Sequence, residues 1–363
     1  MIDTRWQQVE RVLAIRLDSL GDVLLTTPAI RAIKETIPTA HVTLLASPVG
    51  AEVGKLSPGI DDVIVCQVPW IDPYRLLPQD SQREMAMIQT LRERQFDGAI
   101  IFTSYHQSPL PAAYMCYLAD IPLRHAATVD GGGSLLTTRH KHPPDLMHEV
   151  ERGLDLVRPL GFTTRAKEMV LKVSHDDMAQ MQNELCDRGI DVTKSLAVVH
   201  PGCNFQARTY PWGNYVRVAD LLVERLNCEV VFTGSEDERE LISNIQSWMK
   251  QPSTSMAGKT NLKRLAALVK AADIVVTNNT GPMHVAAAMK TPVVALFALT
   301  NPPSQWRPWM VPYRLLNKPA PCAYCYNRVC PVGHECLTQV TPEEVVEAAG
   351  ELIEESIGLQ SRC

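Results

Sequence analysis

The chain has no apolar run of the ~18–20 residues that a bilayer-spanning helix needs, so no membrane-spanning helix is expected among its 363 residues. Positive charge is not in excess. Lys and Arg number 35 against 40 Asp and Glu, a net charge of −5, which leaves no broad basic surface for nucleic acid. Neither G-x-G-x-x-G nor G-x-x-x-x-G-K-[ST] occurs, which argues against a dinucleotide-dependent oxidoreductase and a P-loop NTPase. The N-terminus, MIDTRWQQVERVLAI, lacks the basic start, apolar core and small-residue cleavage site of a signal peptide, and the expectation is a cytoplasmic protein. What is present is ordinary for a soluble chain: 45% hydrophobic and 21% charged residues, enough for roughly two globular domains. Ten cysteines are many for a reducing compartment. Four cluster near the C-terminus, and the scattered remainder read as buried thiols.

The most informative stretch runs from Ala272 to Phe297. Ile274 to Thr277 reads as a buried strand, Asn278-Asn279-Thr280-Gly281 as a turn, Pro282 to Met289 as a helix, and Val293 to Phe297 as a second strand. Thr280 can cap the helix, Gly281 allows close backbone approach, and Pro282 suits the first turn. The helix N-terminus would then point into the crevice at the strand's carboxyl end, where a phosphate is favoured. The same alternation starts at the N-terminus. Val12 to Leu17 is a strand, Val23 to Thr36 a helix and Val42 to Ala46 a strand. Asp18 and Asp22 lie at the mouth between them, each able either to cap the helix or to take a proton from a hydroxyl. Val63–Val65 and Ala99–Phe102 read as further strands, followed by the loop Ser104 to Ser108, with His106 read as a surface residue.

The pattern loosens between 162 and 194, which places the domain junction there, with a first domain over 1–175 and a second over 190–340. In the second, Leu196–His200 and Glu229–Thr233 read as strands. Loops at three strand ends carry matched chemistry. Gly202 to Arg208 offers N–H groups, an amide and a guanidinium whose planar fork suits a diphosphate. Gly234 to Glu238 offers carboxylates suited to ribose hydroxyls, and Asn279 to Gly281 offers the helix N-terminus. Together they point to a nucleotide-linked ligand. Two doubly wound α/β domains facing one another across a cleft is the economical architecture.

With these residues in view, the chain resembles glycosyltransferase family 9, the ADP-heptose:lipopolysaccharide heptosyltransferases. IRLDSLGDVLLTTPAIRAIK, HPGCNFQARTYPW, FTGSEDERE and TNNTGPMHVAAAMKTPVVALF carry the resemblance, in the family's order, across positions 15 to about 310. It implies a GT-B fold built of two Rossmann-like domains, with the acceptor on the first and the nucleotide sugar on the second. It implies that Asp22 is the catalytic base. The donor set would be Cys203, Asn204, Arg208, Glu238 (with Glu236 its competitor), Lys259, Thr260, Asn279, Thr280, Gly281 and His284. Two departures stand out: Asn279 replaces the family's Asp, and Cys203 replaces a small hydroxyl residue. The first keeps open an alternative, a non-catalytic nucleotide-sugar-binding scaffold of the same fold.

The implied reaction is an inverting glycosyl transfer through an oxocarbenium-like transition state, with Asp22 as base and Arg208 and the Thr280-Gly281 helix end holding the departing diphosphate. No Asp-x-Asp occurs, so no metal is expected for catalysis. The implied partners are a nucleotide-sugar donor, by resemblance ADP-heptose, and a lipid-linked or cell-surface glycan acceptor. Peripheral contact with the inner face of the cytoplasmic membrane would follow. Separately, Cys322, Cys325, Cys330 and Cys336, with His334 among them, suggest a structural zinc site or iron–sulfur cluster, against disulfides or free structural thiols. A last helix, within 342–358, is expected to pack back towards the first domain.

Overall fold

A computed structural model describes residues 4–71, 76–144 and 146–360. The first three residues of the N-terminal stretch quoted above lie outside the described residues. The chain divides into two units, Met1–Val170 and Leu171–Cys363.

In the first unit the strands are β1 (Arg11–Arg16), β2 (His41–Ala46), β3 (Asp62–Val65), β4 (Gly98–Ile101), β5 (Leu123–Ala127) and β6 (Thr138–His140). The helices are α1 (Leu20–Thr36), α2 (Pro48–Leu56), α3 (Ser81–Glu93), α4 (Leu110–Leu118) and α5 (Glu149–Val157). The strands form one parallel sheet in the order β3-β2-β1-β4-β5-β6. Both faces are covered, so the central strands are apolar on both sides. Leu13, Ile15, Leu45 and Ile101 share a core with Ile88 and Leu91 of α3 and Met115 and Cys116 of α4. Helix α1 packs with α2 and α5. Pro28 sits inside α1 and cannot donate to Leu24, and the Thr27 hydroxyl donates to that carbonyl instead, at 2.7 Å.

The second unit contains α6 (His175–Asp187), β7 (Leu196–His200), α7 (Trp212–Leu226), β8 (Glu229–Phe232), α8 (Arg239–Trp248), β9 (Thr254–Ser255), α9 (Leu262–Ala271) and β10 (Ile274–Asn278). It continues with α10 (Gly281–Met289), β11 (Val293–Leu296), α11 (Pro303–Trp306), β12 (Tyr313–Leu316), α12 (Glu335–Thr338) and α13 (Pro342–Gln360). Its parallel sheet has the order β12-β11-β10-β7-β8-β9. Val345, Val346, Ala349 and Leu352 of α13 are buried in the core of this second unit, with Tyr215, Leu222 and Val276, and the helix packs on α7 and the second sheet.

Each sheet reverses its winding once, between β1 and β4 in the first unit and between β7 and β10 in the second. Ligand crevices of open parallel sheets lie at the carboxyl ends of such strand pairs. No helix among the described residues is long and apolar enough to cross a membrane.

Candidate active site

At the first reversal point, β1 ends in Arg16, and its guanidinium organises the carboxylates that follow. Arg16 Nε lies 2.9 Å from Asp18 Oδ2, and Nη2 lies 3.1 Å from Asp22 Oδ1 and 2.7 Å from Ser104 Oγ, which follows β4. The two aspartates have different surroundings. Asp18 is buried, accepts from Gln107 Nε2 at 2.6 Å, and has its pKa pushed up by burial against the pull of Arg16. Asp22 stands in the first turn of α1, where Ser19 donates to Oδ2 from both N (3.1 Å) and Oγ (2.6 Å). Its side chain keeps 14% exposure against 7% for Asp18. Capping thus fixes one oxygen, and Arg16 orients the other. His106 is exposed, while its neighbours Ser104 and Gln107 join the cluster.

Two further residues here carried no signal in the sequence. Glu149 and Arg152, one turn apart on α5, close the cluster from the other side: Glu149 Oε2 lies 3.7 Å from Arg16 and 3.8 Å from Arg152. The Arg152 guanidinium donates to the Thr103 carbonyl and stacks over Tyr105, 5.1 Å from the ring centroid. Burial pushes the Glu149 pKa up to about 7, with both arginines opposing, and Oε1 has no hydrogen-bond partner. A carboxyl group raised on folding stabilises the fold fully below its unfolded value, and that contribution is lost as pH rises through the folded value. Wild-type stability is therefore expected to fall by on the order of 3 kcal/mol from this group between its ordinary value and about pH 7. Glu149→Gln should flatten that slope in urea unfolding measured from pH 4.5 to 8, and an unchanged slope would contradict the assignment.

At the second reversal point, the loop after β7 and the N-terminus of α10 after β10 come together. Asn278 ties them, donating from Nδ2 to the Pro201 carbonyl at 2.8 Å and accepting from Tyr210 N at 3.1 Å. Thr280 occupies the N-cap position of α10, but its side chain makes no capping hydrogen bond and interacts with Cys203 instead. Gly281 and Pro282 open the helix, and His284 is buried one turn along. Arg208 donates from Nε to Thr300 Oγ1 at 3.0 Å, with its guanidinium 4.4 Å from the centroid of Phe205. Asn204 is exposed on the same loop, and Lys259 is exposed beyond β9 beside the half-buried Thr260. Asn279 is buried, with Oδ1 accepting from Ala298 N at 3.3 Å and Nδ2 3.5 Å from Asn301 Oδ1.

The two glutamates after β8 are sorted by two glycines. A Cβ at Gly202 would stand 1.8 Å from Glu238 Oε1, so the missing side chain is what lets that carboxylate lie against the His-Pro-Gly turn. Glu238 Oε2 accepts from Ser235 N at 2.7 Å and lies 3.8 Å from His200 Nε2. Glu236 lies over Gly258 and pairs with Arg239 at 2.5 Å. A guanidinium, a helix N-terminus and a carboxylate thus stand at the carboxyl ends of the adjacent strands β10, β7 and β8.

A family model for glycosyltransferase family 9 (heptosyltransferase) matches residues 84–335. The chain belongs to glycosyltransferase family 9. It is a glycosyltransferase. Lipopolysaccharide heptosyltransferase 3 of Escherichia coli K12 is 27% identical over 292 residues, 80% of this chain and 82% of that relative. Among solved structures, a family 9 glycosyl transferase from Veillonella parvula superposes with a TM-score of 0.81 at 20% identity, covering 95% of this chain and 98% of that one. The E. coli ADP-heptose lipopolysaccharide heptosyltransferase II gives a TM-score of 0.76 at 22% identity, covering 95% and 99%. These likenesses carry the two-domain Rossmann-like GT-B fold.

In the cysteine-rich segment, among the described residues, no three ligand atoms of Cys322, Cys325, Cys330, His334 and Cys336 come within 4.8 Å of one another. Cys330 Sγ accepts from His334 N at 3.1 Å, and burial pushes the Cys336 thiol up. The segment packs against the loop after β7. Arg328 O accepts from Ala207 N at 2.8 Å, His334 Nε2 bonds Gln206 O at 2.8 Å, and Tyr326 N donates to Thr300 O at 2.7 Å. The contact also brings the Arg328 guanidinium to 4.9 Å from the Phe205 centroid, so two guanidinia flank the ring that carries Arg208. An arginine just beyond the paired cysteines gave no signal of this in the sequence.

Proposed function

We propose that this glycosyltransferase transfers a heptose from ADP-L-glycero-D-manno-heptose, with inversion and without a metal, to the core of a lipopolysaccharide or a related cell-surface glycan. The relatives' names support the sugar and the acceptor class, since they are lipopolysaccharide heptosyltransferases and one is an ADP-heptose enzyme. The observation that carries the reading is that Arg208, held by Thr300 and Phe205 on the loop after β7, and the N-terminus of α10 after β10 both follow the adjacent strands of the second reversal point. A guanidinium and a helix N-terminus suit a leaving diphosphate, and Arg208 takes the charge-neutralising role that an Asp-x-Asp-bound metal has elsewhere.

In this reaction Asp22 accepts the proton of the acceptor hydroxyl as that oxygen bonds to the anomeric carbon. The bond from the anomeric carbon to the diphosphate oxygen breaks on the opposite face, and its electron pair leaves with ADP. Glu238 accepts from the ribose hydroxyls, Cys203 and Asn204 line the phosphates with Thr280 and Gly281, Lys259 and Thr260 border the base, and His284 supports the helix end. Asn279 lies inside the fold, holding the loop after β11. The acceptor puts the enzyme at the inner face of the cytoplasmic membrane.

Calorimetric titration with ADP, UDP, GDP and ADP-heptose tests the donor. ADP and ADP-heptose are expected to bind, with UDP and GDP at least tenfold weaker, a difference of about 1.4 kcal/mol. Preference for UDP or GDP would overturn the heptose donor, and no binding by any of the four would overturn the donor site.

A further inference from the structure

A second polar cluster in the first unit lies outside the transfer chemistry. His140 ends the edge strand β6, and His142 follows it two residues on. Both rings turn to one carboxylate oxygen: Asp155 Oδ2 on α5 lies 2.6 Å from His140 Nε2 and 2.9 Å from His142 Nδ1. The rings meet edge to face, 4.9 Å between centroids. Arg158, just past the end of α5, pairs with the other oxygen, Asp155 Oδ1. Among the described residues this is the one group in which three metal-ligating atoms all lie within 4.8 Å of one another.

We propose that His140, His142 and Asp155 form a divalent transition-metal site that staples the edge strand β6 to helix α5. Metal–nitrogen and metal–oxygen bonds of about 2.0–2.2 Å put neighbouring donor atoms roughly 3–3.5 Å apart. The two histidine–aspartate distances fall just short of that spacing, so an ion enters by spreading the three atoms a few tenths of an ångström. Two imidazoles and a carboxylate favour zinc or another late first-row ion over magnesium or calcium, which prefer oxygen. Binding needs the His142 imidazole to carry its proton on Nε2, the far ring nitrogen. Arg158 acts behind the site, holding Asp155 Oδ1 so that Oδ2 stays turned to the histidines. Asp155 is buried, while each histidine side chain keeps 15% exposure, which leaves a route for the ion. The staple would fix the same helix that carries Glu149 and Arg152, and His142 lines a small cavity with Arg16, Glu149 and Arg152.

Cobalt(II) titrated into metal-free protein tests this without reference to glycosyl transfer. The expected result is one equivalent with visible d–d bands and no thiolate-to-cobalt charge transfer, retained in Cys322→Ser/Cys325→Ser. Zinc competition against a chromogenic chelator should show affinity at least tenfold weaker in His140→Gln and in Asp155→Asn. The glutamine keeps a hydrogen bond to Asp155, which protects the fold. Absence of the bands in the wild type, bands accompanied by thiolate charge transfer that the cysteine variant abolishes, or wild-type zinc affinity in both site variants would overturn the proposal.

Discussion

Asp22→Asn should lower turnover by about a thousandfold while leaving ADP affinity within about twofold, because it removes the base and touches nothing at the donor loops. The geometry makes this a clean substitution in one respect and a costly one in another. The amide oxygen can still accept from Ser19, so the first turn of α1 stays capped. The amide nitrogen, however, faces Arg16 Nη2 where Asp22 Oδ1 stood at 3.1 Å, and that leaves two donors opposed. A loss of about 1 kcal/mol in stability is expected from this contact, measurable as a modest fall in melting temperature. The kinetic effect is much larger than that, so single-turnover rates on folded enzyme separate the two. Full activity in Asp22→Asn would remove the base from this position. Asp18 is the more buried of the two carboxylates and is held by Gln107 and Arg16.

Arg208→Ala carries the second large effect, a loss of on the order of 2–3 kcal/mol in ADP binding, or roughly 30- to 150-fold. The guanidinium is held at two points, through Nε on Thr300 and by stacking on Phe205, so its fork is oriented before a ligand arrives. Lys keeps the charge but has neither the fork nor the stacking plane, and Arg208→Lys should recover only part of the loss. Turnover should fall further than affinity, because charge on the leaving diphosphate grows as the bond breaks. Arg328→Ala should cost less, about tenfold, because its guanidinium reaches the loop from the neighbouring segment. Calorimetry on the three variants gives the order directly. Equal affinity in all of them would place the diphosphate elsewhere.

Much of this architecture is legible in the sequence because the strands and helices concerned carry strong local signals. The strand Leu196–His200 has the expected bounds, and the 272–297 stretch folds as the strand, turn, helix and strand that its pattern dictates. Short or charged edge elements are not legible. β6 has three residues, and β5 carries Arg124 and His125, whose burial depends on partners such as the Leu156 carbonyl far along the chain. The same limit applies to chemistry. Asp22 and Arg208 stand beside helix starts and turns that the sequence marks. The Arg16–Glu149–Arg152 cluster joins residues more than a hundred positions apart, and only a charge at the end of an apolar strand hinted at it. Cysteine spacing has a related limit. It says which thiols are neighbours along the chain and nothing about whether the loop closes on an ion or lies against Gln206 and Ala207.

Heptose transfer is tested most directly by incubating the enzyme with ADP-heptose and a heptose-accepting lipopolysaccharide core oligosaccharide, and determining the mass and anomeric configuration of the product by NMR. Stoichiometric ADP release, gain of one heptose, and a linkage inverted relative to the donor are the expected results. A linkage of retained configuration, or ADP release without transfer to any such acceptor, would contradict the assignment of Asp22 as base in an inverting heptosyl transfer.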